Sequence, residues 1–188
     1  MSITKDQIRK IEQFVESKLD SLNWQHTLQV RGLALKLAQS EKADKEIVEA
    51  AALFHDVGKY QKEKGHAERS AGLARKYLEK ENYPVNFVEE VVYCVICHDY
   101  PWDNKPELVN TIEAKVLYDA DLISWLSNFG IIKQILYIQE QLSVDFPKAL
   151  DEIIKKIDQE SRKAFTKSGK EEVQKRVREI KNFYRTVL

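Results

Sequence analysis

The apolar residues of this chain recur at helical spacing along almost its whole length, and this periodicity constrains the fold more than any other feature. Ile8, Ile11, Val15 and Leu19 fall on one stripe near the N-terminus, as they would on the buried face of an amphipathic helix. Only four prolines and six glycines occur in 188 residues, and they separate such segments. No alternating strand pattern, repeat or low-complexity linker is present. The sequence therefore predicts an all-α fold.

Proline, glycine and polar clusters divide the chain into about eight or nine predicted helices. These cover residues 5–19, 24–39, 45–57, 66–80, 85–98, 111–128, 131–141, 147–165 and 170–187. We expect the polar segment from Gln61 to Gly65 to be a mobile loop, and Thr111 to cap the sixth helix. A chain of 188 residues fits one domain, so we expect a single domain over residues 1–188.

The charge balance and hydropathy argue against several classes of partner. Thirty Lys and Arg residues cancel thirty Asp and Glu residues, which gives no electrostatic case for nucleic acid or an anionic membrane. No apolar run approaches the roughly eighteen residues of a membrane helix, and the N-terminus lacks an apolar signal segment. We therefore expect a cytoplasmic protein with reduced cysteines. We expect the helices over residues 136–188 to pack on the core or to form a homodimer contact.

The segment Cys94-Val-Ile-Cys-His98 has the C-x-x-C-H spacing of covalent haem attachment. Covalent attachment normally requires export, and no export segment is visible. The cysteines also stand at helical spacing with Val91 and Val95, as small apolar core residues do. We therefore expect no haem, and of this segment we assign only His98 to the chemistry of a site.

Polar residues interrupt three strongly apolar predicted helices. His55 and Asp56 end the third helix, His26 lies on the apolar stripe of the second, and Asp119 and Asp121 lie inside the sixth. Burying such groups is costly unless something compensates them. A carbonyl and a helix cap would satisfy a lone His–Asp pair, but a divalent metal would compensate the whole set.

Imidazole and carboxylate together suit Mn, Fe, Co, Ni or Zn, and suit Mg less well. Asp119 and Asp121 are two positions apart and so point in roughly opposite directions on a helix. One of them can face a given metal, and the spacing does not decide which.

The order H…HD…D, with His55-Asp-Val-Gly-Lys59 at its centre, resembles the HD-domain superfamily of metal-dependent phosphohydrolases. Gly65-His-Ala-Glu-Arg-Ser-Ala71 is similar to the family's GHxxxSA, and Glu113-Ala-Lys-Val-Leu-Tyr-Asp-Ala-Asp121 to its EAKxxxDAD. The resemblance covers about residues 20–135. It implies a multi-helix HD-domain bundle with this segment as its core and with residues 136–188 packed on it.

The resemblance implies the metal ligands His26, His55, Asp56 and Asp121, and leaves Asp119 with a structural or supporting role. His66 and His98 match positions that supply a second metal site in binuclear members and contact substrate phosphate in others. We expect these two histidines to bind substrate, with a second metal as the alternative.

The activity that the resemblance implies is cleavage of a phosphomonoester or phosphoanhydride of a small molecule, such as a nucleotide, by metal-activated water. Asp56 would act as ligand and as proton acceptor through a water, and Lys59 would contact phosphate. Residues 62–64 and 100–102 are candidates for a substrate rim. The alternatives are a di-iron HD-type oxygenase and a non-catalytic, ligand-sensing HD domain.

Two positions depart from the family's longer motif. Relatives often have DADRLDA, whereas this chain has Asp119-Ala-Asp-Leu-Ile-Ser-Trp125. Leu122 and Ser124 therefore replace Arg and Asp. If those side chains bind substrate in relatives, a different substrate or weaker activity follows.

Overall fold

The computed structural model describes residues 3–60 and 64–187. Within these residues the chain forms nine α-helices, two short 3-10 helices and no strand, which confirms the predicted all-α fold. The α-helices are α1 Lys5–Glu16, α2 Ser21–Glu41, α3 Lys45–Phe54, α4 His66–Lys80, α5 Val85–Cys97, α6 Ile112–Trp125, α7 Asn128–Leu142, α8 Phe146–Glu160 and α9 Lys167–Val187. None of them has the length and apolarity that would carry it across a membrane.

Short polar side chains fix where most of these helices begin. A side-chain oxygen at the N-cap position accepts a hydrogen bond from a first-turn N–H group at Thr4, Asp20, Asp44, Thr111, Ser127 and Asp145. At α1 the cap is reciprocal, because the Gln7 side chain accepts from the backbone N–H of Thr4 at 2.8 Å. The predicted cap at Thr111 is therefore confirmed.

Several predicted boundaries are wrong. The third helix ends at Phe54 rather than at residue 57, because Val57–Tyr60 tighten into a 3-10 turn. α7 begins at Asn128, before Gly130, because the Ser127 hydroxyl accepts from the Gly130 N–H at 3.0 Å and caps the helix there. The eighth helix ends at Glu160, not at residue 165, and the other ends agree within three residues. Of the predicted mobile loop, residues 61–63 lie outside the described residues.

The centre of the bundle is the C-terminal half of α3. Its residues 50–54, Ala-Ala-Ala-Leu-Phe, have no exposed surface, and α2, α5 and α6 pack around them. The three small alanine side chains let these neighbours approach closely. Cys94 and Cys97 of α5 are also buried and form no disulfide, as expected for apolar core residues.

Asp119 attaches the C-terminal helix to this centre. Its Oδ1 accepts from the Phe165 N–H at 2.8 Å, and its Oδ2 accepts from the N–H and hydroxyl of Thr166 at 2.8 and 2.6 Å. Gly169 packs so closely that a Cβ there would lie 2.1 Å from Oδ2. The first aspartate of the DAD motif is therefore structural, and α9 packs against α6 and α2.

Candidate metal centre

The ends of the core helices bring the predicted site residues together. His26 lies in the second turn of α2, His55 and Asp56 directly follow α3, and Asp121 lies in α6. The two remaining histidines of the chain are His66, the first residue of α4, and His98, which follows α5. All four imidazoles and Asp56 are buried. Residues from five helices or their ends thus meet at one point, as predicted.

Four nitrogen and oxygen atoms form the first cluster. His26 Nε2 lies 3.3 Å from His55 Nε2, 3.1 Å from Asp121 Oδ1 and 3.5 Å from Asp56 Oδ2. His55 Nε2 lies 3.4 Å from the same Asp56 oxygen and 4.0 Å from Asp121 Oδ1. The atoms of His26, His55 and Asp56 lie close enough together to hold one metal ion, and Asp121 Oδ1 lies beside them, nearest to His26 Nε2.

A second cluster shares Asp56 with the first. His66 Nε2 lies 3.1 Å from His98 Nε2, and these nitrogens lie 3.2 and 3.7 Å from Asp56 Oδ1. The two oxygens of Asp56 therefore face different histidine pairs. His66, His98 and Asp56 also form a group that could hold a metal ion.

The outer nitrogens of two imidazoles determine what their inner nitrogens can do. His55 Nδ1 lies 2.8 Å from the Ala52 carbonyl, and His98 Nδ1 lies 2.5 Å from the Val95 carbonyl. A carbonyl can only accept, so each Nδ1 carries the proton, and in a neutral ring Nε2 then presents a lone pair. Lone pairs directed at one another and at carboxylates repel unless a cation or proton lies between them.

The Asp56 carboxylate lies where the two clusters meet. Within the described residues, neither of its buried oxygens accepts a hydrogen bond of normal geometry, although Lys59 Nζ lies 2.8 Å from Oδ2. Burial alone would raise the pKa of Asp56, but its interactions with His55 and Lys59 outweigh burial and hold this pKa well below its usual range. Asp56 is thus an ionised, buried carboxylate that fits a divalent cation.

Asp121 is ionised for a similar reason. Burial opposes its charge, but the hydrogen bond and the charge interaction with His26 are stronger together and lower the pKa of Asp121. Two carboxylates and two or more imidazoles therefore converge in one buried cluster. This mixed donor set fits a divalent transition metal.

A cavity of about 300 Å³ opens beside the centre. His26, His66, His98 and Asp121 line it, together with three lysines from three different elements, Lys59, Lys133 and Lys156. Trp102 and Trp125 form an aromatic wall on which Lys156 Nζ lies, 5.8 and 5.5 Å from the ring centres. The cavity thus combines the metal-fitting residues with positive charge and aromatic surface.

Sequence patterns located only part of this cavity. Trp102 lines it as predicted for residues 100–102, but Tyr100 does not, and residues 62 and 63 of the other predicted rim lie outside the described residues. Lys133 and Lys156 come from α7 and α8, which the sequence predicts only as packing helices. No spacing in the sequence connects these lysines with the HD motif.

Comparison with known proteins agrees with this geometry. A family model described as HD domain matches residues 23–126. Ribonuclease Y of Desulforudis audaxviator is 33% identical over 102 residues, which are 53% of this chain. The matched part is only 17% of the length of that ribonuclease.

Solved structures share the fold over nearly the whole chain. YpgQ of Bacillus subtilis has a TM-score of 0.79 and 22% identity, with 97% of this chain and 94% of that chain covered. An HD-superfamily hydrolase from Bacillus thuringiensis has a TM-score of 0.75 and 23% identity, with 97% and 95% covered. The likeness includes α7, α8 and α9, which lie beyond the family match.

Proposed function

The chain belongs to the HD-domain family, and on that basis we propose that it is a metal-dependent phosphohydrolase acting on a small phosphorylated molecule. One observation carries the proposal: Asp56 is buried among converging imidazole nitrogens without a hydrogen bond of normal geometry in the described residues, beside a cavity lined by three lysines. The cluster calls for a cation, and the cavity suits an anion.

We assign His26, His55, Asp56 and Asp121 as the ligands of one divalent cation. The mixed nitrogen and oxygen set favours Mn, Fe, Co, Ni or Zn over Mg. When bound, such a cation supplies polarisation of a phosphoryl oxygen and a lowered pKa for a bound water. Asp56, which its surroundings keep ionised, is both ligand and proton acceptor through a water.

His66 and His98 belong to the substrate side of the centre in this proposal. Both line the cavity, and their Nε2 atoms lie within 3.7 Å of Asp56 Oδ1. In their protonated form these rings would donate hydrogen bonds to a phosphate bound there. The same two imidazoles and Asp56 could instead hold a second cation. Metal stoichiometry distinguishes the two arrangements.

Lys59 is the nearest lysine to the centre, and we propose that it contacts substrate phosphate. Its Nζ lies 2.8 Å from the Asp56 carboxylate. A short movement of the Lys59 side chain would therefore bring its ammonium group into contact with a phosphate oxygen bound at the centre. Lys133 and Lys156 extend the positive charge along the cavity, which suits a substrate with several negative charges.

A nucleotide is the substrate that the cavity suits best. Trp102 and Trp125 line the cavity beside the lysines, and aromatic side chains are a common stacking surface for bases. YpgQ of Bacillus subtilis, which shares the fold, has been crystallised in complex with ADP.

We propose a cytoplasmic enzyme that has no nucleic-acid or membrane partner and that forms a homodimer.

Two alternative functions can be distinguished from the proposed phosphohydrolase. The pair of clusters that share Asp56 favours a di-iron oxygenase as the second candidate, and the lysine-lined cavity favours the phosphohydrolase. A ligand-sensing domain without catalysis would bind a nucleotide but would release no phosphate.

The test combines metal analysis of the purified chain with a screen of phosphomonoesters and nucleotides in the presence of Mn²⁺, Co²⁺, Ni²⁺ or Mg²⁺. We expect a bound transition metal and phosphate or pyrophosphate release that a chelator abolishes. Two irons with oxygen uptake and no phosphate release would favour the oxygenase. Absence of any bound metal would refute the proposal.

A further inference from the structure

Ser124 and Gln29 form a hydrogen-bonded pair on the outer side of the His26 ring. His26 Nδ1 lies 3.1 Å from Ser124 Oγ, and the Ser124 hydroxyl donates to Gln29 Oε1 at 3.0 Å. Gln29 follows His26 by one turn of α2, and Ser124 lies in α6 without exposed surface. These hydrogen bonds therefore connect the His26 ring to a second residue of its own helix, α2, and to α6.

His26 differs from His55 and His98 in the partner of its outer nitrogen. His55 and His98 face backbone carbonyls, which can only accept and so fix the proton on Nδ1. His26 faces a hydroxyl, which can donate or accept. Ser124 alone would thus leave open which nitrogen of His26 carries the proton.

Gln29 resolves this ambiguity. Its Oε1 receives the Ser124 hydroxyl at 3.0 Å and the Ser127 hydroxyl at 3.4 Å. A hydroxyl has one proton, so Ser124 Oγ, having given it to Gln29, can only accept from His26. Nδ1 of His26 therefore carries a proton, and Nε2, which faces His55, Asp56 and Asp121, is the nitrogen left to bind a metal.

We propose that Ser124, oriented by Gln29, is a positioning residue that holds His26 in the Nδ1–H tautomer and directs Nε2 into the metal centre. The inference rests on the proposed function in one respect, namely that Nε2 of His26 is a metal ligand. Partners of this kind commonly change metal affinity by about 10- to 100-fold when they are removed.

Four variants of the full chain test this role. Ser124→Ala removes the acceptor, and Gln29→Met removes the group that orients the hydroxyl. Gln29→Glu keeps an oxygen acceptor and is the conservative variant. Ser127→Ala is the matched control, because Ser127 shares Gln29 and caps α7 but does not contact the His26 ring.

Two measurements separate this inference from the proposed function. Protonation of His26 Nδ1 is measured in the metal-free protein by long-range ¹H–¹⁵N correlation, with assignment by a His26→Asn variant. Mn²⁺ and Zn²⁺ affinities are measured by competition with a chelator. Neither measurement requires turnover.

We expect Nδ1–H in the wild type and in Gln29→Glu, and a mixture of tautomers in Ser124→Ala and Gln29→Met. Metal affinity should fall about tenfold in Ser124→Ala and stay unchanged in Ser127→Ala, even though the lost cap lowers its melting temperature. A wild-type His26 without a proton on Nδ1, or a Ser124→Ala protein with unchanged Nδ1 protonation and metal affinity, would overturn the inference. A wild type that binds no metal would refute the proposed function, and the tautomer would still decide the role of Ser124.

Discussion

Asp119 and Asp121 are separated by one residue on α6, yet their carboxylates bond on opposite sides of the helix. Asp119 Oδ2 accepts from the Thr166 N–H at 2.8 Å, whereas Asp121 Oδ1 lies 3.1 Å from His26 Nε2. A helix rotates by about 100° per residue, so side chains two positions apart face nearly opposite ways. One aspartate of the DAD motif thus attaches α9, and the other faces the metal centre.

This division predicts opposite effects for two alanine substitutions. Asp119→Ala leaves the Phe165 and Thr166 donors buried without an acceptor, and should lower the free energy of unfolding by about 1–3 kcal/mol while metal stoichiometry is retained. Asp121→Ala should lose metal affinity with a smaller change in stability. Denaturant unfolding and metal content measure both effects. Loss of metal in Asp119→Ala at conditions where it stays folded would contradict the assignment.

Gly169 should be intolerant of a side chain. A Cβ there would lie 2.1 Å from Asp119 Oδ2 and 2.7 Å from Thr166 Oγ1, so α9 would have to move away from its attachment. We expect Gly169→Ala to lower the free energy of unfolding by about 1–3 kcal/mol. Gly72→Ala is the control, because no atom lies within 4 Å of a Cβ at that helical position; it should raise stability by about 0.5–1 kcal/mol. Equal effects at the two glycines would rule out this explanation.

Lys156 should contribute to substrate binding, and its neighbour should not. Lys156 lines the cavity, whereas Lys155 pairs with Glu152 on the exposed face of α8. Removal of one charge contact should raise KM by about tenfold in Lys156→Ala, which corresponds to about 1.4 kcal/mol, with little change in kcat. Steady-state kinetics with the substrate from the screen provide the measurement. A similar KM change in Lys155→Ala would indicate a nonspecific charge effect instead.

The two cysteines should be unreactive in the folded protein. Burial raises the pKa of the Cys94 thiol and of the Cys97 thiol, and the thiolate is the reactive form. Because the folded state holds these protons more tightly, their contribution to stability is present below the unfolded pKa and is lost as pH rises through the folded value. At pH 8 a thiol reagent should modify neither cysteine until the protein is denatured, and then both.

Rapid modification of a thiol in the native protein would show that α5 is not packed as described. The same sample tests the expectation of no haem, since a Soret band in the purified protein would contradict it.

The sequence predicted the helical fold from local patterns, and it predicted the six clustered residues from those patterns together with the family resemblance, which supplied His66 and His98. His26, His55 and Asp121 stood out as polar residues on apolar helical stripes, and burial in a helix bundle brings such stripes together. The choice between Asp119 and Asp121 needed the family resemblance, since it depends on which neighbour lies on each side of α6.

Two features could not be predicted from local patterns. Lys133 and Lys156 line the cavity because α7 and α8 pack beside it, and no sequence pattern predicts that packing. The link from His26 through Ser124 to Gln29 joins residues about a hundred positions apart, and serine and glutamine are ordinary helix residues at both places. Helix ends also depended on tertiary structure, as the early end of α3 at Phe54 shows.

The most direct test of the account is a metal titration of the wild type and of Asp56→Ala, followed by phosphate-release assays of the same samples. Asp56 lies within 3.7 Å of all four imidazoles. Its removal should therefore eliminate metal binding and hydrolysis together, while the circular dichroism spectrum remains that of a helical protein. We predict one divalent metal per wild-type chain and none in Asp56→Ala. Equal metal content and equal phosphate release in the two proteins would contradict the central claim.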